Sequence, residues 1–411
     1  MRRSGSRSRA VVAIVAVALL AGACKSSAKT GTSGNTLKIG AALSLTGKFS
    51  REGSLTKQGY DYCQNTVNKA GGVPVGNTHY QLAISYQDDK SDPDTAAQLT
   101  DQFNDQGLKL ILGPYGTPST SSAAAVVERN SQIMVDSGGA DDAIFSHGYS
   151  HIFAVLSPAS AYVTTMIKAV ADLAKPKPKT VAILSADDGF SKTAAAAGKA
   201  EAERQGMKVT VEFFPNGTSD VSAALTKIRG AKPDLILGSA HLTEGIALIK
   251  QSQELGVNPK GGFGETVAPP TPDFATTLGP QANYVLGSTQ WTPQVSGQDK
   301  YFGTAATYTA GFTTAFGRAP EYHNAEATAA CLALTLAVEK AGSTDATKVR
   351  DTLAALDQQS FFGPLKFDST GKNVTKTMGV IQIQSGKAVT VWPQGPGTKP
   401  LLWPTPPFGQ R

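Results

Sequence analysis

Short apolar runs alternate with amphipathic stretches from residue 37 onward. In the first part of the chain the apolar runs fit strands, and the stretches between them repeat apolar residues at helical spacing. The predicted strands are 37–45, 81–87, 108–113 and 132–136, and the predicted helices are 54–69 and 94–105, with a further helix starting at 119–122. Strands that alternate with helices favour a parallel sheet covered by helices on both faces.

The same alternation then begins again. Further strands are predicted at 180–185, 207–214, 234–238, 284–289 and 365–367, with a final hairpin over 378–393, and further helices at 160–174, 191–205, 220–229, 243–255, 299–316, 323–341 and 345–356. So many strands exceed what one open sheet usually holds. The pattern therefore predicts an α/β protein with two doubly wound parallel-sheet lobes.

The N-terminus has the features of an export signal. Four arginines within the first nine residues precede an apolar run over 10–21, which is shorter than the roughly 20 residues that span a bilayer. The sequence Ala21-Gly22-Ala23-Cys24 resembles a bacterial lipobox, which implies cleavage after residue 23 and a lipid on Cys24. Ordinary signal cleavage that leaves a free Cys24 is the alternative. Residues 24–35 are rich in Ser, Thr, Gly and Lys, which is typical of a flexible tether.

Composition narrows the class of protein. The chain is 40% apolar and 17% charged, as in an ordinary globular protein. Its formal net charge of +6 includes the four arginines of the signal, so the mature chain carries little net charge and gives no support for nucleic-acid binding. No later segment has the length and apolarity of a membrane span.

Two cysteines remain after Cys24. Cys63 and Cys331 lie in predicted helices far apart in the sequence. Export makes a disulfide between them chemically possible, but nothing in the pattern fixes their distance. Two buried free thiols are the favoured interpretation.

The chain lacks the usual motifs of catalysis. There is no HExxH zinc motif, no G-x-S-x-G elbow and no GxxxxGK[ST] phosphate loop. The five histidines suggest no metal site. We therefore expect a protein that is not an enzyme and that needs no cofactor or metal.

Ligand contacts are expected in the loops that follow the strands, because open α/β sheets bind ligands beyond the carboxyl ends of their strands. These loops are 46–53, 114–120, 137–142, 186–191, 239–244 and 265–270. Thr117 lies where a strand runs into a helix start, and the backbone N–H groups and hydroxyls there suit a carboxylate. Plain helix capping by Ser or Thr is the alternative interpretation.

The motifs in these loops and their order resemble type I periplasmic solute-binding proteins, specifically the branched-chain amino-acid-binding family of ABC transporters. The resemblance covers nearly all of residues 36–392. It is carried by IGAALSLTGKFSREG (39–53), VNKAGGV (67–73), YQDDKSDPDTAAQLT (86–100), LILGPYGTPST (110–120), VAILSADDGFSK (181–192), KPDLILGSA (232–240), EKAGSTD (339–345) and GPLKFDSTG (363–371).

The resemblance implies a discontinuous architecture. Lobe 1 would take residues 36–152 and 288–358, and lobe 2 would take 153–287 and 359–392. A Pro/Gly-rich tail over 393–411 would follow. Three chain crossings would form the hinge, and the lobes would close around the ligand.

The resemblance also assigns site residues. Thr117 matches the family's carboxylate-binding hydroxyl, and Gly139-Ala140 stand where the family has a small residue and a threonine. Glu265 matches the acidic residue that holds a ligand ammonium group; a surface carboxylate is its alternative.

Three further positions depart from the family's pattern. Phe190 replaces a tyrosine that closes over the ligand and is alternatively a core aromatic. His241 stands where an aromatic residue is common and is alternatively a plain loop residue. Glu52 replaces an aromatic wall and indicates a more polar pocket. These departures argue against simple leucine specificity, so a polar or basic amino acid, an amide or another small carboxylate fits as well.

The implied function is the extracytoplasmic solute-binding component of an ABC importer. Such a monomer would be lipid-anchored at the outer face of the bacterial cytoplasmic membrane and would deliver its ligand to a permease. The alternative is a ligand-sensing receptor of the same fold that signals to a membrane partner.

Overall fold

The alternating pattern builds two separate, mainly parallel sheets in the computed structural model, which describes residues 35–411. The strands are β1 (Asn35–Leu43), β2 (Val73–Val75), β3 (Thr78–Asp88), β4 (Leu110–Leu112), β5 (Ile133–Asp136), β6 (Ile152–Ala154), β7 (Thr180–Ala186), β8 (Lys208–Phe214), β9 (Leu235–Ser239), β10 (Phe263–Glu265), β11 (Leu286–Thr289), β12 (Gln298–Asp299), β13 (Gly303–Thr304), β14 (Asp357–Ser360), β15 (Gly363–Lys366), β16 (Gly379–Gln384) and β17 (Lys387–Trp392). The first sheet has the order β2-β3-β1-β4-β5-β6, and the second has the order β17-β16-β11-β10-β9-β7-β8. The strands β2 in the first sheet and β16 and β17 in the second pair antiparallel with their neighbours. We call the layers around the first sheet lobe 1 and those around the second sheet lobe 2.

Helices connect the strands and cover the sheets. They are α1 (Ser50–Lys69), α2 (Pro93–Asp105), α3 (Thr117–Arg129), α4 (Ser160–Leu173), α5 (Gly189–Arg204), α6 (Ser222–Arg229), α7 (Leu242–Glu254), α8 (Pro272–Leu278), α9 (Ala305–Phe316), α10 (Tyr322–Ala341) and α11 (Ala346–Ala354). Within residues 35–411, the helices are all too short or too polar to serve as a bilayer span. The predicted α/β fold with two parallel-sheet lobes is confirmed. The predicted signal peptide, the lipidated Cys24 and all of the predicted tether except Asn35 lie outside the described residues.

The pair of helices α1 and α10 forms one layer of lobe 1. The two helices pack closely, and an added Cβ on Gly59 would lie 2.7 Å from Ala327. Cys63 and Cys331 are joined there by a disulfide, with their Cα atoms 6.2 Å apart. The expectation of two free thiols is therefore wrong. Each helical pattern showed that its cysteine was buried, but only the packing of the helices brings two residues 268 positions apart into contact.

The predicted helix over 299–316 begins later than its apolar pattern suggested. Residues 298–304 instead form the short hairpin β12–β13, and α9 starts at Ala305. The Asp299 carboxylate holds this turn because it accepts hydrogen bonds from the backbone N–H groups of Tyr301 and Phe302. Local side-chain to backbone bonding of this kind competes with helix formation.

The C-terminal residues 393–411 pack along lobe 2. Trp403 donates from Nε1 to the carbonyl of Pro176 at 2.9 Å, and its ring lies so close to Gly261 that an added Cβ would be 2.1 Å away. The Arg411 guanidinium lies 4.1 Å from the centre of the Phe408 ring. The Pro/Gly-rich composition thus describes an extended segment with its own contacts to the lobe.

Three chain crossings connect the lobes, and one residue from each meets in a buried hinge. Ser157 lies in the first crossing, Gln290 in the second and Lys376 in the third. Gln290 Oε1 accepts from the backbone N–H of Ser157, and its Nε2 donates to the carbonyl of the same residue. The Ser157 hydroxyl donates to the carbonyl of Lys376 at 3.1 Å. The hinge is therefore a connected hydrogen-bond network rather than three independent linkers.

The third crossing lies further along the chain than the boundary at 358 that the family resemblance implied. Phe367 packs on Phe153 of β6 with ring centres 5.4 Å apart, and Lys372 pairs with Ala154 in a parallel bridge. The segment up to Lys372 thus packs against the edge of the first sheet, and the chain enters the second sheet at β16.

Candidate functional site

The carboxyl ends of the strands of both sheets face each other around a small cavity of ≈ 20 Å³. Both lobes supply its lining. The lining residues are Tyr115, Gly116, Thr117, Gly138, Ala140, Leu156, Tyr162, Phe190, His241, Val267, Tyr322 and Glu326. A space of this size holds about one water molecule, so in this structure the lobes are closed upon their own side chains.

Thr117 is placed by the strand-to-helix turn after β4. It is the first residue of α3, and the preceding N-cap is Gly116 with φ 86° and no capping side chain. The Thr117 hydroxyl accepts a hydrogen bond from the backbone N–H of Asp141 at 3.3 Å. The first turn of α3 therefore reaches the cavity together with a hydroxyl that still has a hydrogen to donate.

Gly138, Gly139 and Ala140 follow β5 on the same side of the cavity. The backbone N–H groups of Gly138 and Gly139 donate to Asp136 Oδ1, both at 2.9 Å. Burial raises the pKa of Asp136 to about 7, although these two bonds lower it. An added Cβ on Gly139 would lie 2.4 Å from Thr120, so glycine is required for the loop to pack on α3. Ala140 and Gly138 line the cavity, and Gly139 supports the loop behind them.

His241 lies at the N-cap of α7 and faces lobe 1. Its Nδ1 is 3.5 Å from the Tyr115 hydroxyl, and its ring centre is 4.8 Å from that of Phe49. Its Nε2 lies 3.7 Å from Asp188 Oδ2. Burial alone would lower the pKa of His241, but the neighbouring Asp188 carboxylate outweighs it and raises the pKa to about 9. The cavity is therefore bordered by an imidazolium.

Asp188 has the complementary shift. Burial would raise its pKa, but the neighbouring His241 and the hydrogen bonds from Ser191 lower it to about 2. The same carboxylate caps α5 by accepting from the Ser191 N–H. The two side chains form a buried ion pair at the edge of lobe 2.

Phe190 packs inside the cavity lining. It meets Tyr162 edge-to-face with ring centres 4.9 Å apart and His241 at 5.5 Å. Tyr162 is fixed in turn because its hydroxyl accepts from Gln290 Nε2 in the hinge. An aromatic wall on lobe 2 is thus coupled directly to the hinge.

Glu265 and Glu52 do not line the cavity. Glu265 ends β10, and its carboxylate points toward the backbone of β9, where an added Cβ on Gly238 would be 1.9 Å from Oε2. Both Glu265 oxygens are buried without a hydrogen-bond partner in the described part of the chain, and burial, with Glu244, raises its pKa well above the usual range. Glu52 is buried in the first turn of α1, and its charge contributes to the raised pKa of His241.

Several lining residues were not selected from the sequence. Tyr115, Tyr162, Tyr322 and Glu326 all reach the cavity and are all buried. Tyr115 stands in the loop after β4, two residues before Thr117, so the strand-end rule that predicted Thr117 applies to Tyr115 as well. Tyr162 and Tyr322 start α4 and α10 near the hinge, and Glu326 lies inside α10, where no strand-end rule applies.

Direct contacts hold the two lobes together around the cavity. Arg51 of α1 pairs with Asp273 of α8 at 2.6 Å. On the other side, the Thr193 hydroxyl of α5 donates to Asp141 Oδ1 at 2.9 Å. Gly189, at the start of α5, lies so near lobe 1 that an added Cβ would be 2.5 Å from Asp141 Oδ2.

Metal binding finds no support in the described residues. Within residues 35–411, no group of three or more His, Cys, Asp or Glu side chains is arranged to hold a metal ion. The buried histidines are engaged otherwise: His241 faces Asp188, and His323 Nδ1 lies 2.8 Å from Glu321 Oε2.

Comparison with known proteins agrees with the fold. Among curated proteins, the leucine-, isoleucine-, valine-, threonine- and alanine-binding protein of Pseudomonas aeruginosa is 24% identical over 338 residues, which covers 82% of this chain and 87% of the relative. Among solved structures, the branched-chain amino acid transporter substrate-binding protein LivJ from Streptococcus pneumoniae in complex with isoleucine superposes with a TM-score of 0.75 at 20% identity, covering 86% of this chain and 98% of that one. A solute-binding protein of an ABC transporter from R. palustris in complex with benzoate gives 0.73 at 16% identity, covering 87% and 96%.

A family model described as "Periplasmic binding protein" matches residues 36–388, which include the hinge and nearly all of both sheets. This chain belongs to the periplasmic binding protein family.

Proposed function

We propose that this chain is the extracytoplasmic solute-binding component of an ABC importer and that its two lobes close around a small amino acid or a related carboxylate or amide. The observation that carries the proposal is the cavity to which both lobes contribute at the carboxyl ends of their strands. Binding sites of open α/β sheets lie at this edge. Family membership supports the same class, as do the amino-acid and benzoate ligands of the relatives described above.

The start of α3 is the proposed contact for a ligand carboxylate. Backbone N–H groups and the positive end of the helix dipole favour an anion there. The Thr117 hydroxyl stands beside them, and the charged His241 faces the same cavity from lobe 2. A carboxylate that leaves water for this site would find fixed partners in both lobes, which couples its binding to closure.

The remaining parts of the proposal concern the protein's place in the cell. A lipid on Cys24 would anchor the protein, residues 24–35 would act as the tether, and an ABC permease would receive the ligand from a monomer. Cys24 follows an export signal in the sequence, and the family is that of periplasmic binding proteins. We assign no catalytic role to any residue of the site.

Ligand capture by closure is tested with Gly189→Val. The larger side chain would press on the Asp141 carboxylate across the cleft, so we expect the variant to fold normally but to bind its ligand at least tenfold more weakly. Gly230→Val is the matched control, because Gly230 is an exposed residue of lobe 2 where an added Cβ meets no atom within 4 Å.

The ligand for this test comes from a thermal-shift screen of amino acids, amides and aromatic acids, since a bound ligand raises stability by mass action. Affinities are then measured by calorimetry. Equal affinity in the two glycine variants, or no stabilising compound in the screen, would contradict the proposal.

A further inference from the structure

We infer that Glu326 on α10 holds a positively charged nitrogen of the ligand, inside a cage formed by Tyr115, Tyr162 and Tyr322. This inference rests on the proposed function and narrows its ligand class. The ligand would be a small zwitterion, such as an amino acid or a compound with a methylated ammonium group, rather than a carboxylic acid without nitrogen.

The first support is the position and pairing of the Glu326 carboxylate. The side chain lines the cavity between the lobes and is only 2% exposed. Its Oε2 atom is buried and has no hydrogen-bond partner within residues 35–411. A buried acceptor without a partner is costly and calls for an explanation. A cationic ligand in the adjoining cavity supplies the missing partner.

The second support is the aromatic character of the remaining lining. Tyr115, Tyr162 and Tyr322 are contributed by three different segments and surround the same small space. Aromatic rings attract cations through their quadrupole, and the effect grows when water is excluded. A carboxylate among three tyrosine rings is a combination that favours a cation with apolar substituents, whereas a purely aliphatic ligand would gain nothing from Glu326.

The third support is the engagement of the nearest basic group. Lys376 is buried in the third crossing, and its Nζ donates to the carbonyls of Gln290 and Phe362. Lys376 and Glu326 do not form an ion pair within the described residues, whose ion pairs involve other groups. Lys376 therefore belongs to the hinge and acts on Glu326 only through its charge from beyond ion-pair distance, so the position beside the Glu326 carboxylate is left for a cationic group of the ligand.

Burial explains how the site persists without a ligand. It raises the pKa of Glu326 well above the usual range; the nearby acids Glu321 and Asp136 raise the pKa further, and the positive charge of Lys376 lowers it. A protonated carboxyl group avoids the cost of an isolated buried charge. An ammonium group would favour the ionised form and pair with it.

Glu265 is the residue that the family resemblance nominates for this role, and the geometry does not favour it. Its carboxylate lies against the backbone at Gly238 and does not reach the cavity lining. It has the same side chain, is also buried and also lacks hydrogen-bond partners in the described chain. Glu265→Gln is therefore a matched control for Glu326→Gln.

The test uses the full chain, purified in detergent, and pairs of ligands that share shape but differ in the nitrogen. The pairs are glycine betaine with 3,3-dimethylbutanoate, leucine with 4-methylpentanoate, and phenylalanine with 3-phenylpropanoate, measured by thermal shift and calorimetry. We expect a nitrogen-bearing member to bind at least about fiftyfold more tightly than its partner. Glu326→Gln should weaken that ligand about a hundredfold, whereas Glu265→Gln should change its affinity less than threefold. Circular dichroism and thermal unfolding verify that both variants fold.

The outcomes separate this inference from the proposed function. If the nitrogen-free acids bind as tightly as their partners, the solute-binding function stands and the role of Glu326 is refuted. Unchanged affinity in a folded Glu326→Gln variant, or a hundredfold loss in Glu265→Gln, refutes it as well. If none of these compounds nor any in the broader screen binds, the proposed function falls and this inference falls with it.

Discussion

His241 and Asp188 show how single residues can link the closed state to pH. The pKa of His241 is raised to about 9, and that of Asp188 is lowered to about 2. A raised histidine pKa contributes stability that is fully present below its unfolded value of about 6.5 and is lost as the pH rises through 9. A lowered aspartate pKa contributes stability that is present above about 3.8 and is lost as the pH falls through 2. The ion pair therefore stabilises the fold most between about pH 3.8 and pH 6.5, where both contributions are fully present.

The expected result is a pH-dependent difference between the wild type and His241→Gln. The free energy of unfolding of the wild type should exceed that of the variant by about 3 kcal/mol near pH 6, because a pKa change of about two units corresponds to this magnitude. The difference should shrink as the pH rises from 6.5 to 9. Urea unfolding across this range provides the measurement. The measured quantity is the difference in unfolding free energy between wild type and variant, not the pH dependence of the wild type alone. Other buried groups also titrate in this range, such as Lys376, whose pKa is lowered by burial to about 7.

Asp188→Asn provides the control for this pair. It should remove most of the pH dependence of His241, and the double variant should lose little more stability than either single variant, since both remove the same interaction. A wild-type excess that stays constant from pH 6 to pH 9 would show that the ion pair does not set the His241 charge.

At the scale of residues, the sequence predicted which strand-end loops line the cavity better than it predicted the contacts of each side chain. Thr117, Ala140, Phe190 and His241 line the cavity as their positions after strands predicted. Glu265 also follows this rule, yet the side-chain direction at the end of β10 turns its carboxylate toward Gly238. Strand-end position is set by topology and can be read from the pattern, whereas the direction of one side chain depends on neighbours from other segments.

At the scale of elements, α1 and α10 carry much of the architecture of lobe 1. The Cys63–Cys331 disulfide joins them across 268 residues, and Asn324 of α10 donates to the carbonyl of Leu55 in α1. A crosslink over so long a loop restricts the unfolded chain strongly. It also fixes the helix that bears Glu326 relative to the first sheet.

Removal of the crosslink should therefore destabilise lobe 1. We expect the double variant Cys63→Ala, Cys331→Ala to lose about 2–5 kcal/mol of unfolding free energy, which is the usual range for a native disulfide. Chemical unfolding with and without dithiothreitol measures it. The reductant should lower the midpoint of the wild type and leave that of the variant unchanged; a wild type that is insensitive to reductant under unfolding conditions would contradict the role of the bond.

The elements that the sequence failed to predict share a physical cause. The strand β6 has only three residues, and β2 has three that include a proline, so neither offers enough alternation to be recognised. The β12–β13 hairpin depends on Asp299, whose carboxylate also accepts from the backbone of Phe361 in a distant turn. Long strands and amphipathic helices are specified locally, but these short elements are specified by contacts made after the chain has folded.

At the scale of the whole molecule, the hinge determines whether the lobes behave as one unit. Gln290 connects the first two crossings through both its amide oxygen and its amide nitrogen, and that nitrogen also bonds the Tyr162 hydroxyl in the cavity wall. Lys376 connects the second and third crossings by donating to the carbonyl of Gln290. Buried hydrogen bonds thus connect the three crossings of the hinge with the wall of the cavity.

Gln290→Ala should uncouple the lobes. The substitution leaves the backbone N–H and carbonyl of Ser157 and the Tyr162 hydroxyl without their buried partner, so we expect a loss of about 2–4 kcal/mol in unfolding free energy. We also expect weaker ligand binding, because the aromatic wall at Tyr162 is no longer held, and a larger radius of gyration by small-angle X-ray scattering at saturating ligand. Gln384→Ala is the control: Gln384 lies in β16, and its side-chain hydrogen bonds within residues 35–411 go to Gln382 and Pro400 of lobe 2 rather than to a crossing. If both variants lose the same stability and close equally with ligand, the lobes are coupled by their direct contacts, such as Arg51 with Asp273, and not through the hinge.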